Sequence, residues 1–219
     1  MKQNEHGHLI FVAAKTHLRP LGCQRQGQSR FWSADHRLWQ IGVEFQPSGW
    51  SKGSYLNVGV QWLWYPKRHF SYDTGGRVAQ FVPFESPEQF APEANCLAAR
   101  AAEEVLSLRS RFASLPAIAH DLVTKPWGDA LWPLYHGAVA AGLTGDVPTA
   151  RNLFDQLLAV DYGYGWWQER HDVAARLASC LSDPNAYRAA VLALIVECRT
   201  MQRLPVDLDY FGGSNLSQT

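Results

Sequence analysis

The stretch from Tyr55 to Trp64 constrains the fold more than any other part of the sequence. Apolar side chains occupy every second position, and mostly polar or small ones stand between them. This two-residue period is typical of a strand with one buried face. The apolar series is Leu56, Val58, Val60, Trp62 and Trp64. We therefore predict a strand that ends before Pro66, with both tryptophans buried against a helix.

Three more strands are predicted in the first 84 residues. Residues 38–46 alternate in the same way, and residues 28–33 and 77–84 are bounded by turn sequences. The short links favour an antiparallel meander of about four strands. Its apolar face needs a cover, for which the helices predicted at His8–Leu18 and at about Glu93–Leu115 are the candidates.

The second half of the chain is rich in Ala and Leu, which favours helices. We predict four helical segments at about 130–143, 147–160, 166–181 and 185–203. Similar residues recur 37 positions apart, so the segments form either a degenerate repeat of helical hairpins or two ordinary hairpins. Asp146 and Asp183 each precede a proline, and we expect both to cap helix N-termini rather than to act in catalysis.

The predicted class is therefore α+β, with a sheet domain followed by an α-helical half. Residues 1–125 are assigned to the sheet domain with its long covering helix, and residues 126–211 to a helical-hairpin region packed on it. The boundary is placed at Pro126-Trp127-Gly128. Residues 212–219 are predicted to be a disordered tail.

Composition excludes several function classes. No apolar run approaches the ~18 residues of a transmembrane helix, and with no export signal we expect a soluble cytoplasmic protein. Residues 1–84 carry a net charge of +6 and residues 85–219 one of −6. The two halves can complement each other, so nucleic-acid binding is not expected. The four cysteines lack zinc-site spacing, which predicts free thiols and no metal.

Catalytic and cofactor motifs are missing from the sequence. There is no nucleophile elbow and no glycine-rich phosphate loop, so no catalytic residue and no cofactor are assigned. The Asp-His pairs are adjacent in sequence and do not face each other in a helix or strand. His6 and His8 are assigned to a fraying terminus.

Polar side chains of the two central strands form the main candidate ligand site. They share one predicted sheet face with Gly42 and Gly59, and glycine within a strand often marks a close approach by another group. Three interpretations stay open: a ligand-binding surface, a solvated face, or a face crossed by a helix. The candidate ligand-binding residues are Gln40, Glu44, Asn57 and Gln61.

Tryptophans outside the strands suggest a partner surface. Trp50 lies in the link between the two central strands and is the best candidate for an exposed ring. Trp127, Trp132, Trp166 and Trp167 are placed along a possible groove of the helical half, because aromatic residues are enriched at interfaces. Trp50, Trp127 and Trp166 are the predicted partner residues.

Several segments are similar to an uncharacterised class of bacterial proteins. The likeness rests on Leu21-Gly22, the run from Trp39 to Gln46, Asn57-Val58-Gly59, and the segment from Tyr135 to Asp146. The shape Ala150-x-x-x-Phe154-x-x-Leu157 resembles the second helix of tetratricopeptide-type hairpins. The resemblance implies an α+β fold and a bacterial origin, and it carries no activity.

Two functions are therefore expected as alternatives. The first is a non-enzymatic binding or protein-interaction module, because catalytic motifs are missing and paired helices present surfaces. The second is a small-molecule enzyme on the polar sheet face, with Glu44 as the general base and the neighbouring amides positioning the substrate.

Overall fold

The computed structural model describes residues 5–125, 131–160, 165–206 and 209–211. It confirms the predicted α+β class, with an antiparallel sheet followed by helices. The described chain begins with helix α1 (Glu5–Leu18) and a 3-10 turn (Arg19–Leu21). The sheet follows as β1 (Gln24–Arg25), β2 (Phe31–Asp35), β3 (Trp39–Pro47), β4 (Gly53–Trp62) and β5 (Thr74–Pro83). The helices α2 (Pro87–Arg111), α3 (Leu115–Thr124), α4 (Leu131–Thr144), α5 (Val147–Leu158), α6 (Gly165–Cys180) and α7 (Pro184–Met201) complete it.

The five strands pair in sequence order, as a meander does. The prediction of about four strands missed β1, whose two residues are too few to show any alternation. In the pairing of β2 with β3, Trp32 lies opposite Val43 and Ala34 opposite Ile41, so these side chains share the apolar face. That face forms a core in which Ile41, Val43, Leu56 and Val60 are almost wholly buried.

The chain divides into two compact units. The first comprises the described residues of Met1–Gln61 and Phe70–Ser110, and the second those of Trp62–His69 and Arg111–Thr219. This division differs from the predicted boundary at 125/126. Helix α3 belongs to the second unit together with the later helices, and so does the segment that follows β4. The predicted tail at 212–219 lies outside the described residues.

The second unit has a core built around Tyr187. Its hydroxyl donates to the carbonyl oxygens of Ala138 and Val139, at 3.5 and 3.3 Å, and its ring occupies the space that a side chain at Gly142 would fill. Asp146 and Asp183 cap α5 and α7 as predicted. Asp146 accepts from the amide of Thr149, and Asp183 accepts from two backbone amides.

Both strand tryptophans are fully buried, as predicted. The strand itself ends at Trp62, earlier than the alternation suggested, and the rings of Trp62 and Trp64 stack with centroids 5.0 Å apart. Trp62 also meets Phe112 edge-on at 5.1 Å. The Trp64 indole N–H donates to Nδ1 of His136 at 2.9 Å, which gives its polar edge a partner.

Candidate functional site

The polar face of the sheet carries a hydrogen-bonded network. The Asn57 amide nitrogen donates to Oε2 of Glu44 at 3.1 Å and to Oε1 of Gln46 at 2.9 Å. Arg77 of β5 donates from Nη2 to the same Gln46 oxygen at 2.8 Å. The structure therefore brings Glu44 and Asn57 together, as the shared sheet face predicted. The other two candidates, Gln40 and Gln61, are 1% and 0% exposed and belong to the interior.

The room above the strand glycines is filled by the chain itself. A side chain at Gly42 would collide with the rings of Phe70 and Phe31. A side chain at Gly59 would collide with the ring of Tyr72 and with the backbone of Thr74. The close approach that the glycines signalled is therefore made by aromatic residues of β2 and of the segment that precedes β5. The face is covered at both glycines by β2 and by the segment that precedes β5, and not by the helix considered from sequence.

Tyr72 lies in this cover, and its environment is apolar. Burial, with a smaller contribution from the charge of Glu44, raises the pKa of the Tyr72 phenol well above its usual value. Its hydroxyl is buried and forms no hydrogen bond with any residue that the structure describes. The phenol therefore stays neutral, and its ring fills part of the space above Gly59 that a ligand would need.

The link between β3 and β4 forms an exposed tip, which we call the Trp50 tip (residues 48–52). Trp50 is 99% exposed, as the sequence predicted for its ring. The Ser48 hydroxyl oxygen accepts from the amides of Trp50 and Ser51, at 3.1 and 3.4 Å. The Lys52 ammonium lies 3.8 Å from the centroid of the Phe84 ring. The tip is thus held by local contacts while its indole stands in solvent.

The other predicted partner residues cannot be placed on one surface. Trp127 lies outside the described residues, as does the side chain of Trp166, whose backbone belongs to the first turn of α6. Trp132 is partly buried among other rings. It stacks on His136 with centroids 5.2 Å apart, and the cations of Lys67 and Arg170 lie 4.1 and 3.9 Å from its centroid.

A cluster of His6, Ser54 and the half-buried Arg30 was not predicted from the sequence, in which His6 was assigned to a fraying terminus. His6 is 2% exposed in the first turn of α1, and its Nε2 lies 3.2 Å from the Ser54 hydroxyl oxygen. The signal was present, because His6 continues the buried series Ile10, Ala14 and Leu18 of α1 by one turn.

The hydrogen bond between His6 and Ser54 runs in the opposite direction to that between a catalytic base and a serine nucleophile. Nη2 of Arg30 lies 3.4 Å from Nδ1 of His6, and a guanidinium can only donate. Nδ1 therefore accepts, Nε2 carries the proton, and His6 donates to Ser54. Burial, followed by the charges of Arg30 and Lys52, lowers the pKa of His6 to about 4. The cluster joins α1 to the sheet, and within it the Ser54 oxygen accepts from both His6 and Arg30 and meets no base.

Three further features concern metal ligands, membrane-spanning helices and the cysteines. Within the described ranges, no three His, Cys, Asp or Glu side chains converge as metal ligands, and no helix there has the length and apolarity to cross a bilayer. All four cysteines are free thiols, as predicted, and Cys23 and Cys198 are buried.

Comparison with known proteins adds no relative to this description. No family model, no curated protein and no solved structure matches the chain. The similarity to an uncharacterised bacterial class and to tetratricopeptide-type hairpins therefore stays a prediction, and the function has to be argued from the chain's own side chains.

Proposed function

We propose that this chain is a non-enzymatic protein-interaction module that engages a protein partner through the Trp50 tip. The observation that carries the proposal is the 99% exposure of Trp50 on a locally ordered hairpin link. Tryptophan is among the residues that dominate binding energy at protein interfaces, where one anchor contributes about 2 kcal/mol or more. An indole held out in water gains that energy only when a partner covers it.

The order of the tip supports this role. Because Ser48 already accepts two backbone amides, binding has less conformational freedom to remove from the link. Lys52 belongs to the same tip and adds a positive charge to it, with its ammonium over the ring of Phe84. The partner that suits this arrangement is a protein surface with an apolar pocket for the ring and an acidic rim.

The alternative, a small-molecule enzyme with Glu44 as general base, has less support. It needs a pocket floored by Gly42 and Gly59, and the rings of Phe70, Phe31 and Tyr72 occupy that space. Glu44 also shares the Asn57 amide with Gln46, which serves the network on the sheet rather than an incoming substrate.

The cellular setting is part of the proposal. We take the protein to be bacterial and cytoplasmic, and the four free thiols support a reducing compartment.

A pull-down with matched variants tests the proposal. The wild-type protein, Trp50→Ala and the control Leu106→Ala are used as baits in extract of the source cell. Leu106 is 52% exposed on α2, so its truncation also removes an exposed apolar side chain. We expect a protein that wild type and Leu106→Ala retain and Trp50→Ala loses. Equal retention by all three baits would contradict the role of the tip.

A further inference from the structure

A cleft runs beside α1 in the first unit, well apart in sequence from the Trp50 tip. One part of it encloses about 510 Å³ and is lined by Phe11, Lys15, Arg19, Gly22, Arg25 and Trp32, among others. A more open part of about 560 Å³ continues along the helix and shares Phe11, Lys15 and Arg19. We call the two parts together the α1 cleft.

The charge of the α1 cleft is of one sign. Among the lining residues that the structure describes, Lys15, Arg19 and Arg25 carry a charge, and all three are cations. In the described part of the chain, no carboxylate forms an ion pair with any of them. Lys15 and Arg19 are exposed and line the cleft together with Arg25, so three positive charges border a space into which no described carboxylate pairs with them.

Arg25 is held in place before any ligand arrives. Its Nε and Nη2 donate to the carbonyl oxygens of Ser29 and Gln28, both at 2.6 Å, and its guanidinium lies 4.6 Å from the centroid of the Phe11 ring. Because these carbonyl acceptors are uncharged, they do not neutralise the positive charge of Arg25. A guanidinium has five N–H groups, so about three remain for an anion. Fixing the donor in advance lowers the entropy that binding must remove.

The wall of the cleft is apolar and its size suits an organic molecule. Phe11 and Trp32 stack with their centroids 6.3 Å apart, and a side chain at Gly22 would meet no atom within 4 Å, so backbone is accessible there. Binding sites for small molecules typically measure about 300–1,000 Å³. A single inorganic anion would fill only a fraction of this space and would meet only part of the three charges.

We propose that the α1 cleft binds a small organic polyanion, with its phosphate or carboxylate groups at Lys15, Arg19 and Arg25 and its apolar body against Phe11 and Trp32. The charges supply attraction over several ångströms, and the apolar wall distinguishes an organic ligand from a simple salt. The proposal concerns binding alone and assigns no reaction to the cleft.

Calorimetric titration tests the proposal with two probes, adenosine triphosphate without divalent cations and inorganic tripolyphosphate. We expect both probes to bind saturably, and adenosine triphosphate to bind with the higher affinity. The affinity should fall when the salt concentration is raised from 0.05 to 0.5 M, roughly, because salt screens exposed charges. The double variant Lys15→Glu/Arg19→Glu should weaken binding by about tenfold or more.

A charge-matched control separates the site from general electrostatics. Arg68 and Arg151 are exposed and do not line the cleft, so Arg68→Glu/Arg151→Glu changes the net charge equally. We expect it to keep the wild-type affinity within about twofold, with circular dichroism confirming that both variants are folded. Absence of binding to wild type, or equal weakening in both variants, would overturn the proposal. So would a single-stranded oligonucleotide that binds while neither small probe does.

Discussion

The buried histidine of α1 predicts a specific loss of stability in acid. His6 is neutral in the folded protein because burial and the facing guanidinium of Arg30 lower its pKa to about 4, from 6.5 in the unfolded chain. Between these two pKa values the unfolded state binds a proton that the folded state does not. The free energy of unfolding therefore falls as the pH drops below 6.5, and it stops falling near pH 4.

The magnitude follows from the size of this interval. One pH unit corresponds to about 1.4 kcal/mol, so His6 removes about 2 kcal/mol of stability by pH 5 and about 3 kcal/mol at the acid limit. A domain of this size is stable by roughly 5–15 kcal/mol, so the change is well within reach of measurement.

Urea denaturation at pH 7.5, 6 and 5 provides the assay, with wild type compared with His6→Gln. His36, whose pKa is also lowered to about 4 by burial and by Arg109, contributes to both curves and cancels in the difference. We expect the stability advantage of wild type to shrink by about 2 kcal/mol between pH 7.5 and 5. The exposed His69, changed to Gln, is the matched control for a His→Gln substitution outside the cluster. Parallel curves for wild type and His6→Gln would refute the reasoning.

Four further substitutions test the core packing, the helix caps and the strand pairing, each measured by urea denaturation. Trp64→Ala should cost about 3–5 kcal/mol, because it opens a cavity at a fully buried indole; a cost below 1 kcal/mol, roughly, would contradict its place in the core. Asp146→Ala and Asp183→Ala should each cost about 0.5–2 kcal/mol through loss of the N-cap, and no change in either would contradict capping. Gly59→Ala should destabilise by about 1–3 kcal/mol, because the new methyl group meets the rigid backbone carbonyl of Thr74; a neutral result would mean that the strands are not so closely paired.

Sequence pattern predicted the strands well where one face is buried. Residues 55–64 gave a strand because each alternate side chain enters the core, and β4 indeed covers Gly53–Trp62. The alternation did not mark the strand's end, because Leu63 is as fully buried as Trp62 and Trp64. After Trp62 consecutive side chains are buried, because other parts of the fold pack around them. A two-residue period in the sequence cannot show this packing.

The start of α2 shows a local signal that was passed over. The predicted helix begins after Pro92, whereas α2 begins at Pro87 and contains Pro92. The Ser86 hydroxyl accepts from the amide of Gln89, so Ser86-Pro87-Glu88-Gln89 is a capped helix start with proline in its first turn.

The candidate site was predictable only in part. Placing Glu44 and Asn57 on one face needs no more than strand periodicity, and that expectation held. Phe70 and Tyr72 cover glycines that are distant from them along the chain. No local sequence pattern predicts which ring lies on which glycine. The exposure of Trp50 was predictable, because the residue stands in a link rich in Ser and Gly.

Site-specific photo-crosslinking tests the central claim most directly. A photoreactive phenylalanine analogue is placed at position 50 of the full chain in its own cell, and at position 106 in a parallel strain. If the Trp50 tip is the anchor of an interaction module, irradiation should join one protein to position 50 and not to position 106. If position 50 captures nothing beyond what position 106 captures, the tip is not the partner surface and the proposed function is wrong.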